Sequence, residues 1–149
     1  MTKLIDFYFD FISPYSYIAH KKIIKLNKRD SFNYKAILLG GLHNLGNITA
    51  PAFNERKMKN MREDCILISK KNNIDISNNE NIRKILADCE IKEDLFFEGI
   101  KNQPIKDKLK KLTNHAFERN VFGAPTFYVN NKLFWGQDRL EYALDEYIS

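Results

Sequence analysis

The stretch Phe9-Asp10-Phe11-Ile12-Ser13-Pro14-Tyr15-Ser16-Tyr17 joins an apolar run to a helix start and leaves one hydroxyl at the junction. A serine that follows a strand and precedes a helix favours the N-cap, where its side-chain oxygen accepts from an amide of the first turn. Pro14 then falls on the first helical position, where its missing N–H costs nothing. The unpaired amides and the positive end of the helix dipole point at Ser13, so the junction suits a carboxylate, a phosphate or a thiolate. Ser13 is the candidate catalytic residue.

Upstream, Leu4 to Phe11 reads as a strand with Ile5, Phe7, Phe9 and Phe11 on one face. Downstream, a helix is expected from about Tyr15 to Asn27, with Ala19, Ile23 and Leu26 at core spacing, and a second strand from Phe32 to Leu39. A strand–helix–strand unit of this length predicts two parallel strands. Gly40 to Pro51, rich in glycine and asparagine, reads as a loop. From Ala52 to Asn120 the periodicity is helical, through Met58/Met61/Cys65/Ile68, Ile82/Ile85/Leu86/Cys89 and Ile105/Leu109/Leu112/Ala116. The pattern then changes to Thr126-Phe127-Tyr128-Val129, Asn130-Asn131 and Lys132-Leu133-Phe134-Trp135, a β-hairpin, and closes with a helix over Gln137 to Tyr147. The order β-α-β, helices, β-β-α is the thioredoxin arrangement. The expected fold is α/β, one domain over 1–149 with a helical insert at about 52–120.

The 149 residues contain 44% hydrophobic and 13% aromatic residues, enough for a packed core and too many for a disordered chain. Lysine and arginine number 24 against 19 acids, a net charge of +5 that modestly favours anionic ligands. The basic residues are scattered, and none interleave with aromatics as in an RNA-binding sheet, so no nucleic-acid partner is expected. No secretory signal and no bilayer-spanning apolar stretch is evident, which makes cytoplasmic residence without a membrane partner the expectation. Cys65 and Cys89 sit in helical stripes outside any C-x-x-C spacing and read as small buried hydrophobes. His20, His43 and His115 have no mutual spacing for a metal and read as surface or loop residues.

Thioredoxin-fold oxidoreductases carry two cysteines after the first core strand, the first held as thiolate by the helix N-terminus. Here the four positions are Ser13-Pro14-Tyr15-Ser16, which removes dithiol chemistry and keeps the anion-binding geometry. Pro125, just before a strand, suggests a cis Ala124–Pro125 bond that leaves the Ala124 backbone free to pair with an extended ligand. Gln137 and Asp138 stand at the start of the last helix, where amides and a carboxylate together suit a group bearing both an amine and a carboxylate.

The segments FYFDFISPYSY, VFGAPTFYV and LFWGQDRL resemble the signature segments of bacterial 2-hydroxychromene-2-carboxylate isomerases and the related kappa-class glutathione transferases. The resemblance implies a DsbA-like thioredoxin fold, glutathione as cofactor and a small aromatic-derived substrate from the catabolism of aromatic compounds. It implies that Ser13 hydrogen-bonds the glutathione sulfur and that Ala124 and Pro125 line its cysteinyl part. Gln137, Asp138 and Arg139 would receive the γ-glutamyl end, with Asn47 and Lys57 as the remaining contacts. The implied reaction is an isomerisation without net conjugation. A kappa-like transferase, or a non-catalytic module binding glutathione or a peptide, stays open beside it, and so does a homodimer. The helical insert is shorter than is usual in that family.

Overall fold

The computed structural model describes residues 4–76 and 90–149. Strand β1 (Ile5–Phe9) leads into α1 (Pro14–Lys25), then β2 (Phe32–Ala36), α2 (Leu39–Leu45) and α3 (Glu55–Lys71). From residue 90 onward come α4 (Glu93–Gly99), α5 (Gln103–Glu118), β3 (Thr126–Val129), β4 (Lys132–Trp135) and α6 (Leu140–Ile148). The sheet order is β2-β1-β3-β4, with β2 parallel to β1 and the other pairs antiparallel. This is the expected β-α-β and β-β-α frame around a helical insert.

β1 is central because both its faces are apolar. Ile5 and Phe7 point into a core formed with Ala19 and Ile23 of α1, Phe127 and Val129 of β3, and Leu140 and Ala143 of α6. Tyr8 points the other way, into a second core with Ile37, Leu42, Ala116 and Val121 under α2 and α5. Phe127 is fully buried, and removal of such a side chain from water contributes about 1.5–3 kcal/mol. On the same face as Tyr8, Arg119 donates to Asp6 Oδ2 at 2.6 Å and to the Tyr8 hydroxyl at 2.7 Å, while its guanidinium carbon lies 3.7 Å from the centroid of the Tyr128 ring. The cap of α5 is thereby tied to the sheet by charge as well as by packing.

The hairpin turn follows from its asparagines. Asn130 and Asn131 have φ of 52° and 60°, the left-handed pair a type I′ turn demands. Asn130 also donates through its amide to the Glu146 backbone carbonyl and to Glu146 Oε1, at 2.7 and 3.0 Å, which fixes the end of α6 to the hairpin.

Three expectations change. β1 ends at Phe9, so Phe11, expected on the buried face, is 92% exposed in the turn before Ser13. Gly40 to Pro51 is not a loop throughout: α2 occupies its first half. The Leu38 amide donates to Thr113 Oγ1 and the Leu39 amide to Asp10 Oδ2, at 2.9 and 2.7 Å, and Leu42 and His43 are buried. These tertiary contacts override the low helix propensity of two glycines. The histidines are not all at the surface, since His43 is buried and His20 is half-buried with a ring nitrogen 3.1 Å from the Tyr34 hydroxyl. Cys65 is buried beside Ile18, Met61 and Ile68, as its stripe predicts. Ile82, Ile85, Leu86 and Cys89 lie outside the described residues.

Candidate active site

Ser13 caps α1. It has extended backbone dihedrals, Pro14 follows at the first helical position, and its Oγ accepts from the Ser16 amide at 3.2 Å. The hydroxyl donates in turn to the backbone carbonyl of Ala124, at 3.2 Å and 111 positions along the chain. One side chain thus spans the helix start and the segment before β3. The Ala124–Pro125 bond is cis.

The loop ahead of Ser13 is held by Asp10. Its carboxylate accepts from the Ile12 amide at 3.1 Å and from the Leu39 amide at 2.7 Å, which joins the β1–α1 turn to the start of α2. Phe11 and Ile12 then project into solvent at 92% and 78% exposure, an apolar rim beside the cap. On the far side, Phe122 and Trp135 pack with ring centroids 4.9 Å apart.

The third segment is attached to the second by the backbone. Gly136, with φ of 115°, donates its N–H to the Pro125 carbonyl at 2.9 Å. A non-glycine residue would be strained there. Gln137 to Arg139 form a single 3-10 turn ahead of α6. Gln137 is buried and accepts from Lys22 Nζ of α1. Burial pushes the Lys22 ammonium below its usual pKa, against the pull of Asp138 and Glu141. Asp138 and Arg139 form an exposed ion pair at 2.9 Å, and Arg139 lies over the Tyr142 ring.

The structure therefore brings Ser13, Ala124, Pro125 and the Gln137–Arg139 turn into one continuous arrangement. Asn47 and Lys57 stand outside these contacts. Asn47 follows α2 in a groove with Leu45, Phe117 and Phe122, and Lys57 is an exposed residue in the first turn of α3. Neither makes a described contact to Ser13, Ala124 or the 137–139 turn.

Four further residues stand near the cap. Tyr15, between the two serines, donates to Asp64 Oδ2 of α3 at 2.6 Å, and burial and that carboxylate raise its phenol pKa. Ser16 is buried and its hydroxyl has no hydrogen-bond partner. His20 and Tyr34 form a pair along α1 and β2, and burial, Lys21 and Arg29 hold the His20 imidazole below its usual pKa. Only the fourth position of the Ser-Pro-Tyr-Ser motif hinted at any of them. No metal-binding group of histidines, cysteines and acids occurs among the described residues, and no helix among them is long and apolar enough to cross a membrane.

A protein of Sphingobium xenophagum named 2-hydroxychromene-2-carboxylate isomerase is 26% identical, the match covering 99% of this chain and 99% of that protein. Its alignment runs over 194 positions against the 149 residues here, so the relative carries segments without a counterpart in this chain. A protein of the same name from Pseudomonas putida is 25% identical over 92% of this chain and 90% of its own. The solved structure of a selenomethionine 2-hydroxychromene-2-carboxylate isomerase superposes with a TM-score of 0.79 at 20% identity, covering 95% of this chain and 93% of that one, which establishes the shared fold. The family model of the DSBA-like thioredoxin domain matches residues 4–74 and 69–148, and the chain belongs to the DsbA-like thioredoxin domain family.

Proposed function

We propose that the chain is a glutathione-dependent isomerase of the kind named by its relatives, with Ser13 stabilising the glutathione thiolate. The observation that carries this reading is the Ser13 hydroxyl itself, buried at the start of α1 and 3.2 Å from the Ala124 carbonyl. One group touches both the anion-favouring helix end and the backbone with which a peptide-like ligand would pair.

The donor set fits glutathione. A thiolate at the helix start needs a donor, and Ser13 supplies one by rotating its O–H away from Ala124. The carbonyl so released accepts from a ligand amide, so one hydrogen bond within the protein gives way to two with the ligand. Pro125 shapes the adjoining wall, while Gln137, Asp138 and Arg139 offer a turn with both charges for an amino-acid end. Bound glutathione would supply a thiolate that adds reversibly to an unsaturated keto acid derived from an aromatic compound, permits rotation, and leaves. Ser13 acts by electrostatics, favouring thiolate over thiol, and is not the nucleophile. Asn47, from the groove it shares with Phe122, and Lys57 are proposed as the remaining glutathione contacts.

Calorimetric titration with glutathione, followed by thiolate absorbance, tests the reading. Wild type should bind and show thiolate at neutral pH, and Ser13→Ala should lose the absorbance. Product analysis separates the isomerase from a kappa-like transferase: an isomer with glutathione regenerated supports the former, a stable thioether the latter. The full engagement of the Ser13 hydroxyl, as donor and acceptor, favours one other reading, a non-catalytic module in which Ser13 only caps α1. Unchanged binding and absorbance in Ser13→Ala would establish that reading instead.

A further inference from the structure

Lys22, in the last turn of α1, and Gln137, in the turn ahead of α6, meet across 115 positions of the chain. An ammonium has three N–H donors and no acceptor, so a carboxamide packed against it must turn its oxygen to the lysine and its nitrogen away. Gln137 Oε1 accepts from Lys22 Nζ in this way. Turned over, the amide would set donor against donor and lose the contact. Gln137 Nε2 donates to nothing among the described residues. The sealed side-chain atoms without a partner there are Ser16 Oγ and His43 Nδ1, so the Gln137 N–H2 group meets solvent even though the residue as a whole is buried.

The charges facing Lys22 come from three elements. Burial disfavours its ammonium, Asp138 and Glu141 favour it, and Lys71 of α3 opposes it. Lys22 makes no ion pair with either acid among the described residues, and Asp138 is engaged by Arg139 at 2.9 Å. A half-buried ammonium that gives its hydrogen bond to a neutral amide gains little against its own desolvation. What the contact does provide is one fixed orientation of that amide.

We propose that Lys22 is a positioning residue: it locks the Gln137 carboxamide with its oxygen toward α1 and its N–H2 outward, as the donor for the carboxylate of a ligand's amino-acid end. The inference rests on the reading of the 137–139 turn as the receiver of a γ-glutamyl group. Asp138 then remains for the amine, and each half of the zwitterion meets a group of fixed polarity. A freely turning amide would present its oxygen to the carboxylate as readily as its nitrogen, and the oxygen repels it.

The test is calorimetric titration of three thiols into wild type, Lys22→Met and Gln137→Glu: glutathione, γ-aminobutyryl-cysteinylglycine, which lacks the α-carboxylate, and glutaryl-cysteinylglycine, which lacks the α-amine. Lys22→Met should weaken glutathione and the glutaryl analogue about tenfold and the γ-aminobutyryl analogue less than about twofold. Gln137→Glu keeps the contact with Lys22 as an ion pair but places an oxygen where the N–H2 stood. It should weaken the same two ligands about tenfold and spare the one without the carboxylate. A role for Lys22 confined to stability predicts the opposite, since the contact survives in Gln137→Glu. Equal losses for all three ligands in Lys22→Met, or undiminished glutathione binding in either variant, would overturn the proposal and leave the Ser13 reading standing. Absence of glutathione binding in wild type would overturn both.

Discussion

Gly123 lies against the edge of Trp135 so closely that a Cβ at position 123 would stand 2.6 Å from the indole Nε1. The contact sets how the segment before β3 approaches the hairpin. Gly123→Ala must push the ring or the loop aside, and overpacking of this kind costs about 1–3 kcal/mol. Urea denaturation should show that loss, and the emission of the chain's single tryptophan should shift.

Tyr15→Phe removes the hydrogen bond between the first turn of α1 and Asp64 of α3. It leaves a half-buried carboxylate without its phenolic donor, which costs about 1–3 kcal/mol. The expected result is lower stability by chemical denaturation. An unchanged midpoint would mean that the α1–α3 contact rests on apolar packing among Ile18, Met61, Cys65 and Ile68.

His20 makes stability pH-dependent. Its folded pKa is lowered from 6.5 by burial, Lys21 and Arg29, so the folded state resists a proton that the unfolded state accepts. Its contribution is full above the unfolded value and is lost as pH falls through the lower folded one. Thermal midpoints recorded downward from neutral pH should fall, and His20→Asn should flatten the dependence. At the alkaline end the sign reverses: burial raises the Tyr8 and Tyr34 phenol values above 10.0, so stability should fall as pH rises beyond that value.

Arg119→Met keeps the length of the side chain and removes its charge. Asp6 and Tyr8 each lose a donor, and breaking a partly buried network of this kind costs about 3–5 kcal/mol at the buried limit, less here because Asp6 retains Asn33 and solvent. A fall in the urea midpoint checks it, and the double variant with Asp6→Asn should recover part of the loss.

The frame was legible because its signals are local. Ser13-Pro14 announces a cap, Asn130-Asn131 a left-handed turn, and the change of period after Gly123 a hairpin. α2 was hidden because its stability comes from Thr113 and Asp10, far away in the chain, and its own sequence contains two glycines. The same holds at the site. Ser13, Ala124 and the 137–139 turn stand in positions that the order of strands dictates, whereas the surroundings of His20 depend on how α1 leans on the edge of β2. Asn47 and Lys57 were placed by resemblance to a loop, and their positions depend on α2 and α3, whose course local sequence does not determine.

The grip of Asn130 on Glu146 has a thermodynamic meaning for the cleft. It staples the far end of α6 to the hairpin, while the Gly136 N–H fastens the near end to Pro125. The turn between them is held at both margins before any ligand arrives. Ordering entropy that a loose loop would lose on binding is already spent in folding. Affinity at the 137–139 turn should thus respond to a change at Asn130, a residue that no ligand in the cleft would touch.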